Sequence, residues 1–100
     1  MARKPKRLHE MMELLREHTP ELRKRFSVAR IGLFGSVVRD EATPESDVDV
    51  LVEFAEPTFD NYMGLKFHLE ELFGVEVDLV LADSLKPRLK PYIEGEVVYA

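Results

Sequence analysis

One hundred residues, 45% of them hydrophobic and 33% charged, suffice for one buried core and a solvated shell. This predicts a single domain over residues 1–100, excludes a disordered or fibrous chain, and leaves no second domain to hold an acceptor. No apolar run nears the ~20 residues of a membrane span, and the lack of cysteine excludes disulfides, thiolate metal sites and Cys nucleophiles. The expected compartment is the reducing cytoplasm. The net charge of −5 conceals an asymmetry: residues 1–30 hold nine Lys/Arg and four Asp/Glu, and residues 31–100 hold five and fifteen. An acidic main body argues against a broad nucleic-acid face, because phosphate binding needs clustered Lys and Arg.

Leu8, Met11, Met12 and Leu15 recur at helical spacing, so residues 6–18 are predicted to form an amphipathic helix. Thr19-Pro20 then looks like the cap and first position of a second short helix, Glu21 to Phe26. Val28 to Phe34 suits a strand, and Ser36 to Glu41 a short helix. Thr43-Pro44-Glu45-Ser46 has turn chemistry, followed by the clearest strand, residues 47–54, with strict alternation at its start. Tyr62, Leu65, Leu69, Leu72 and Phe73 mark one face of a helix over 59–73, closed by Gly74. Residues 75–81 suit a third strand. Pro87 and Pro91 predict a short, kinked helix near the end, before an edge strand at Glu96–Tyr99. The resulting fold class is α/β, a small mixed sheet with flanking helices.

Asp47 and Asp49 are two apart on a strand, so both aim at one face. Paired carboxylates repel unless a cation or proton lies between them, and hard oxygen donors of this kind suit Mg²⁺. The ordinary reading of an isolated Asp-x-Asp is two wet surface residues. Asp78 changes that reading: it interrupts the apolar run Val75–Leu81, where a strand partner of residues 47–54 would place it, and a lone charge there demands a partner. Three carboxylates from two strands could hold two metal ions ~3.5–4 Å apart, the spacing that serves in-line phosphoryl displacement. Gly35-Ser36, at a strand end, lets a backbone approach a ligand closely and offers N–H groups and a hydroxyl to an anion. An ordinary turn with Ser36 as a cap is the plainer alternative.

The run Gly35-Ser36-Val37-Val38-Arg39, then Ser46-Asp47-Val48-Asp49, with Asp78 in a later strand, resembles the DNA polymerase beta-like nucleotidyltransferase superfamily. The nearest likeness is to its minimal nucleotidyltransferase group. The resemblance implies that Asp47, Asp49 and Asp78 form the catalytic and metal-binding set for two Mg²⁺ ions. It implies that Asp78 serves as base for the acceptor hydroxyl, and that Gly35, Ser36, Arg39 and Ser46 hold the nucleoside triphosphate, with ATP expected. The family often has Gly after the motif arginine, and Asp40 stands there instead. Arg39 could steady the triphosphate or pair with Asp40, Glu41 or a strand carboxylate, and the structural pairing is slightly favoured.

The minimal group is similar to antitoxins that pair with helical HEPN toxins, some of which transfer AMP to a toxin tyrosine. The expected function is therefore an adenylyltransferase antitoxin with a HEPN-type partner, no membrane and no direct nucleic acid; a homo-oligomer suits so small a sheet. The alternatives are an antitoxin that neutralises by contact alone, or a small-molecule nucleotidyltransferase. His9, His18 and His68 show no ligand spacing and are expected at surface or half-buried positions. Tyr62 and Phe67 could line a nucleobase pocket, although helix packing alone explains Tyr62. The cluster from Lys86 to Lys90 suits a solvated basic turn as well as a phosphate contact.

Overall fold

The computed structural model describes residues 8–39, 41 and 47–100. Asp40 and Ser46 lie outside these, as does the turn expected over Thr43–Ser46. Among the described residues three α-helices, α1 (Leu8–Phe26), α2 (Phe59–Phe73) and α3 (Lys90–Glu96), accompany four strands, β1 (Val28–Phe34), β2 (Val48–Phe54), β3 (Val77–Leu81) and β4 (Val98–Tyr99). The sheet order is β3-β2-β1-β4. β1 runs antiparallel to β2 and β4, while β2 and β3 are parallel, and α2 makes the crossover that a parallel pair requires. The expected α/β class with a mixed sheet is what the chain adopts.

The N-terminal helix is one element, not the two predicted. Pro20 sits inside α1, where it offers no N–H to the Arg16 carbonyl. The Thr19 hydroxyl donates to the Leu15 carbonyl at 2.7 Å. The apolar stripe explains why the helix continues: Leu15, Leu22 and Phe26 are all buried, and their spacings of seven and four keep them on one face only if the helix runs through the proline. Pro20→Ala should therefore raise stability by about 1–3 kcal/mol, since Pro costs ~3 kcal/mol in a helix interior and its rigidity returns only ~0.4–1 kcal/mol through the unfolded state. Thermal unfolding followed by circular dichroism checks this.

The predicted helix over Ser36–Glu41 is a 3-10 turn, Gly35–Val37, continued by a turn through Val38 and Arg39. Val37 is buried against the core cluster, and the segment closes with the Arg39 N–H donating to the Gly35 carbonyl at 3.2 Å. α2 matches its prediction: Thr58 caps it by accepting from the Asn61 N–H, and Gly74, at φ 71°, ends it in the left-handed conformation. β3 begins at Val77 rather than residue 75, and β4 spans Val98–Tyr99 rather than Glu96–Tyr99, because Glu96 ends α3. Pro91 lies in the first turn of α3, the place a helix tolerates it.

Alternation in β2 sorts the sheet into two faces. Val48, Val50, Val52 and Phe54 join Ile31, Leu33, Val77 and Leu79 in a core with Met11, Leu15 and Leu22 of α1 and Leu65, Leu69 and Phe73 of α2. The residues between them, Asp49 and Asp78 included, project from the opposite face. Among the described residues no helix is long and apolar enough to cross a membrane.

Candidate active site

Strand register brings the acidic residues together. Asp49 and Asp78 are directly paired on β2 and β3, and Asp49 also faces Phe34, the last residue of β1. Neighbouring strands lie ~4.8 Å apart, so two carboxylates on the same side of a register pair share one small volume. Asp47 precedes β2 by one residue and is exposed. Burial pushes the half-buried Asp49 carboxyl up from its ordinary value, and the negative charges of Asp78 and Asp47 push it the same way. Arg39 opposes this, and Glu96 adds to it.

Gly35 closes the other side of this volume. Its φ of 78° lies in the left-handed region, which glycine enters without strain. A Cβ at this position would run into the Asp49 carboxylate. The turn therefore needs glycine twice over, for its backbone angle and for the room it leaves Asp49. Ser36 follows, half-buried, and the Gly35 carbonyl accepts from the Val38 and Arg39 N–H groups.

Arg39 pairs with Glu41, one of the partners weighed from the sequence, and with Glu96, which was not. Its guanidinium donates to Glu41 at 3.2 Å and to Glu96 at 2.6 Å; those two hydrogen bonds, and the Glu96 charge, raise its pKa. Glu96 was missed because it lies 47 residues from Asp49 in a segment with no motif. Only the return of α3 and β4 to the edge of β1 brings it here.

Several other candidates fall elsewhere. Tyr62 donates its hydroxyl to the Leu79 carbonyl at 2.7 Å and packs against the helix-side core. Phe67 is 57% exposed on the same helix. Since α2 covers the face opposite the aspartates, neither lines a pocket with them, and the expectation of a nucleobase wall fails on topology. The segment from Lys86 to Leu89 is an exposed turn that leads into the exposed Lys90 at the start of α3, as the solvated reading predicts. His18 and His68, scattered in sequence, stand with ring centroids 5.7 Å apart and both within reach of Glu21. Helix pairing supplied a proximity that sequence spacing does not encode.

The donor chemistry around Asp49 fits Mg²⁺: Asp49 and Asp78 are register partners, Asp47 stands one residue before β2, and the half-buried Asp49 gains from a cation that offsets its neighbours. The aspartates are not among the described groups whose three ligand atoms lie within 4.8 Å of one another; that arrangement belongs to His18, Glu21 and His68.

A four-stranded sheet whose adjacent strands carry acidic residues beside a glycine turn is the frame of a nucleotidyltransferase. The chain belongs to the nucleotidyltransferase domain family, whose model matches residues 15–100, and its enzyme class follows. It is 47% identical over 93 residues to the protein adenylyltransferase MntA of Thermococcus cleftensis, covering 92% of this chain and 94% of that one. A Methanocaldococcus jannaschii protein, named as a candidate protein adenylyltransferase, is 42% identical over 98 residues, with 94% and 98% covered. A solved structure described as a candidate minimal nucleotidyltransferase superposes with a TM-score of 0.77 at 38% identity, covering 93% of this chain and 95% of that chain. A toxin–antitoxin structure with AMP-PNP shares the fold at 24% identity and a TM-score of 0.64, over 89% of this chain and 68% of that one.

Proposed function

We propose that this chain is a cytoplasmic antitoxin that transfers AMP from ATP to a tyrosine hydroxyl of a HEPN-type toxin. The observation that carries the reading is the register pairing of Asp49 with Asp78 beside Gly35. The adenylyl direction is supported by the name of the Thermococcus relative, and the partner by the fold shared with toxin–antitoxin structures.

In this reading Asp47, Asp49 and Asp78 would hold Mg²⁺, which would neutralise charge on the phosphate oxygens. Gly35 and Ser36 present backbone N–H groups and a hydroxyl to the triphosphate. Asp78, exposed at the rim, accepts the proton of the acceptor hydroxyl. The acceptor oxygen bonds to the α-phosphorus, the bond to the β-phosphate oxygen breaks, and pyrophosphate leaves. The protein contributes chiefly by positioning. Ser46 keeps its expected part in nucleotide binding.

Co-expression with the toxin followed by intact-mass analysis tests the proposal. The wild type should add one AMP or more to the toxin, and Asp47→Asn should add none. An unmodified toxin with the wild type, or full modification with Asp47→Asn, defeats it.

Contact-only neutralisation is the second reading, favoured by the engagement of the Arg39 guanidinium with two carboxylates rather than with the phosphate side. The readings part at the double variant Asp47→Asn/Asp49→Asn: a toxin still neutralised by it supports contact alone. If Arg39 exchanges Glu96 for the triphosphate, Arg39→Ala should raise KM for ATP about tenfold with little change in kcat. Its ion pairs are solvent-exposed, so Tm should barely move. Steady-state kinetics and a melting curve check both parts.

A further inference from the structure

The strand chemistry leaves the paired histidines of α1 and α2 unexplained. His18 and Glu21, three residues apart, share a face of α1, and His68 meets them from α2. His18 Nδ1 lies 3.6 Å from Glu21 Oε2, and His68 Nε2 lies 3.7 Å from the same oxygen. All three ligand atoms fall within 4.8 Å of one another. These separations are too long for hydrogen bonds. They approach the ~3.3 Å edge of a tetrahedron built on ~2.0 Å metal–ligand bonds.

The surroundings hold this arrangement in place. Arg25 engages the other carboxylate oxygen, Oε1, at 3.3 Å, leaving Oε2 to the imidazoles. The His68 side chain is only 18% exposed, with its ring 5.7 Å from the Phe26 ring and edge-on to His18. Gly64 of α2 sits against Phe26 so closely that a Cβ there would meet the ring at 2.7 Å. The two helices are thus in close approach beside the cluster.

We propose that His18, Glu21 and His68 form a second metal site, which takes a borderline transition cation, Zn²⁺ foremost, through two imidazole nitrogens and one carboxylate oxygen. Imidazole donors suit Zn²⁺, Ni²⁺ and Cu²⁺, whereas Mg²⁺ prefers oxygen. Three protein donors leave a fourth position for water. The site lies in the helical layer, on the opposite side of the sheet from Asp49 and Asp78, so it takes no part in phosphoryl chemistry. Its ion clips α1 to α2 beside Pro20, where α1 lacks a backbone hydrogen bond, and stabilises the fold by mass action.

The test uses the full, untagged chain carrying Asp47→Asn/Asp49→Asn, which removes two of the three competing carboxylates on the strands. Zn²⁺ alone is titrated by calorimetry and by nitrogen NMR of labelled histidines, with Tm measured alongside. The expected result is one equivalent bound, shifts at His18 Nδ1 and His68 Nε2 but not at His9, a higher Tm, and no displacement by excess Mg²⁺. Adding His18→Gln/His68→Gln should weaken binding by at least about tenfold, since even changes outside the ligand shell cost ~10–100-fold. No bound equivalent before those changes, or one undiminished after them, overturns the proposal. Should the glutamine variant misfold, the NMR shifts of the histidine-intact protein decide the matter: their absence overturns the site.

Discussion

Asp49→Asn should abolish nucleotidyl transfer, by at least about a thousandfold, and in the same molecule raise Tm by a few degrees in metal-free buffer. Both effects have one cause. The wild-type carboxylate is half-buried on the sheet face, and burial together with Asp78 and Asp47 disfavours its charged form. A group whose pKa rises on folding binds protons more tightly in the native state, so its contribution to stability falls as pH rises between the unfolded and folded values. The asparagine variant escapes that penalty. Its advantage should be largest near neutral pH and vanish below the ordinary carboxylate range, where both proteins are uncharged at this position. Mg²⁺ offsets the same repulsion, so it should stabilise the wild type more than the variant. Melting curves across pH, with and without Mg²⁺, measure this. A variant less stable than wild type at neutral pH would contradict the assigned electrostatics.

Gly35→Ala is expected to damage both fold and activity. The left-handed φ of 78° costs a Cβ-bearing residue about 1–3 kcal/mol. The new methyl would also run into the Asp49 carboxylate and drive it from its register partner Asp78. Each kcal/mol corresponds to ~4–8 °C in Tm for a chain of this size. Transfer should fall by at least about a hundredfold, because an ångström-scale misplacement at a reacting centre costs on that order. Combining Gly35→Ala with Asp49→Ala separates the causes. Part of the lost stability should return as the clash disappears, the φ strain should remain, and activity should stay absent. If the double variant is no more stable than Gly35→Ala, the collision with Asp49 is not what the alanine costs.

What could be read directly from the sequence was whatever local period and steric rule dictate. The α2 helix is specified by its apolar spacing and the glycine that ends it. The face shared by Asp49 and the separation of Asp78 from Val77 and Leu79 follow from strand alternation alone. Gly35 signalled a turn by residue type. Local rules misjudged Pro20, because a proline breaks a helix in isolation but not when buried residues on both sides share one stripe. They also overextended the turn after Gly35 into a helix, since the burial of Val37 is a tertiary fact.

Only the folded chain decided which distant residues meet. The return of α3 and β4 to the β1 edge brings Glu96 to Arg39, and the packing of α2 on α1 sets His68 beside His18 and Glu21. It also places Tyr62 and Phe67 on the far side of the sheet from the aspartates. Periodicity tells which way a side chain leaves its own element. It carries no record of which other element will be waiting there, because that depends on burying apolar faces from the whole chain at once.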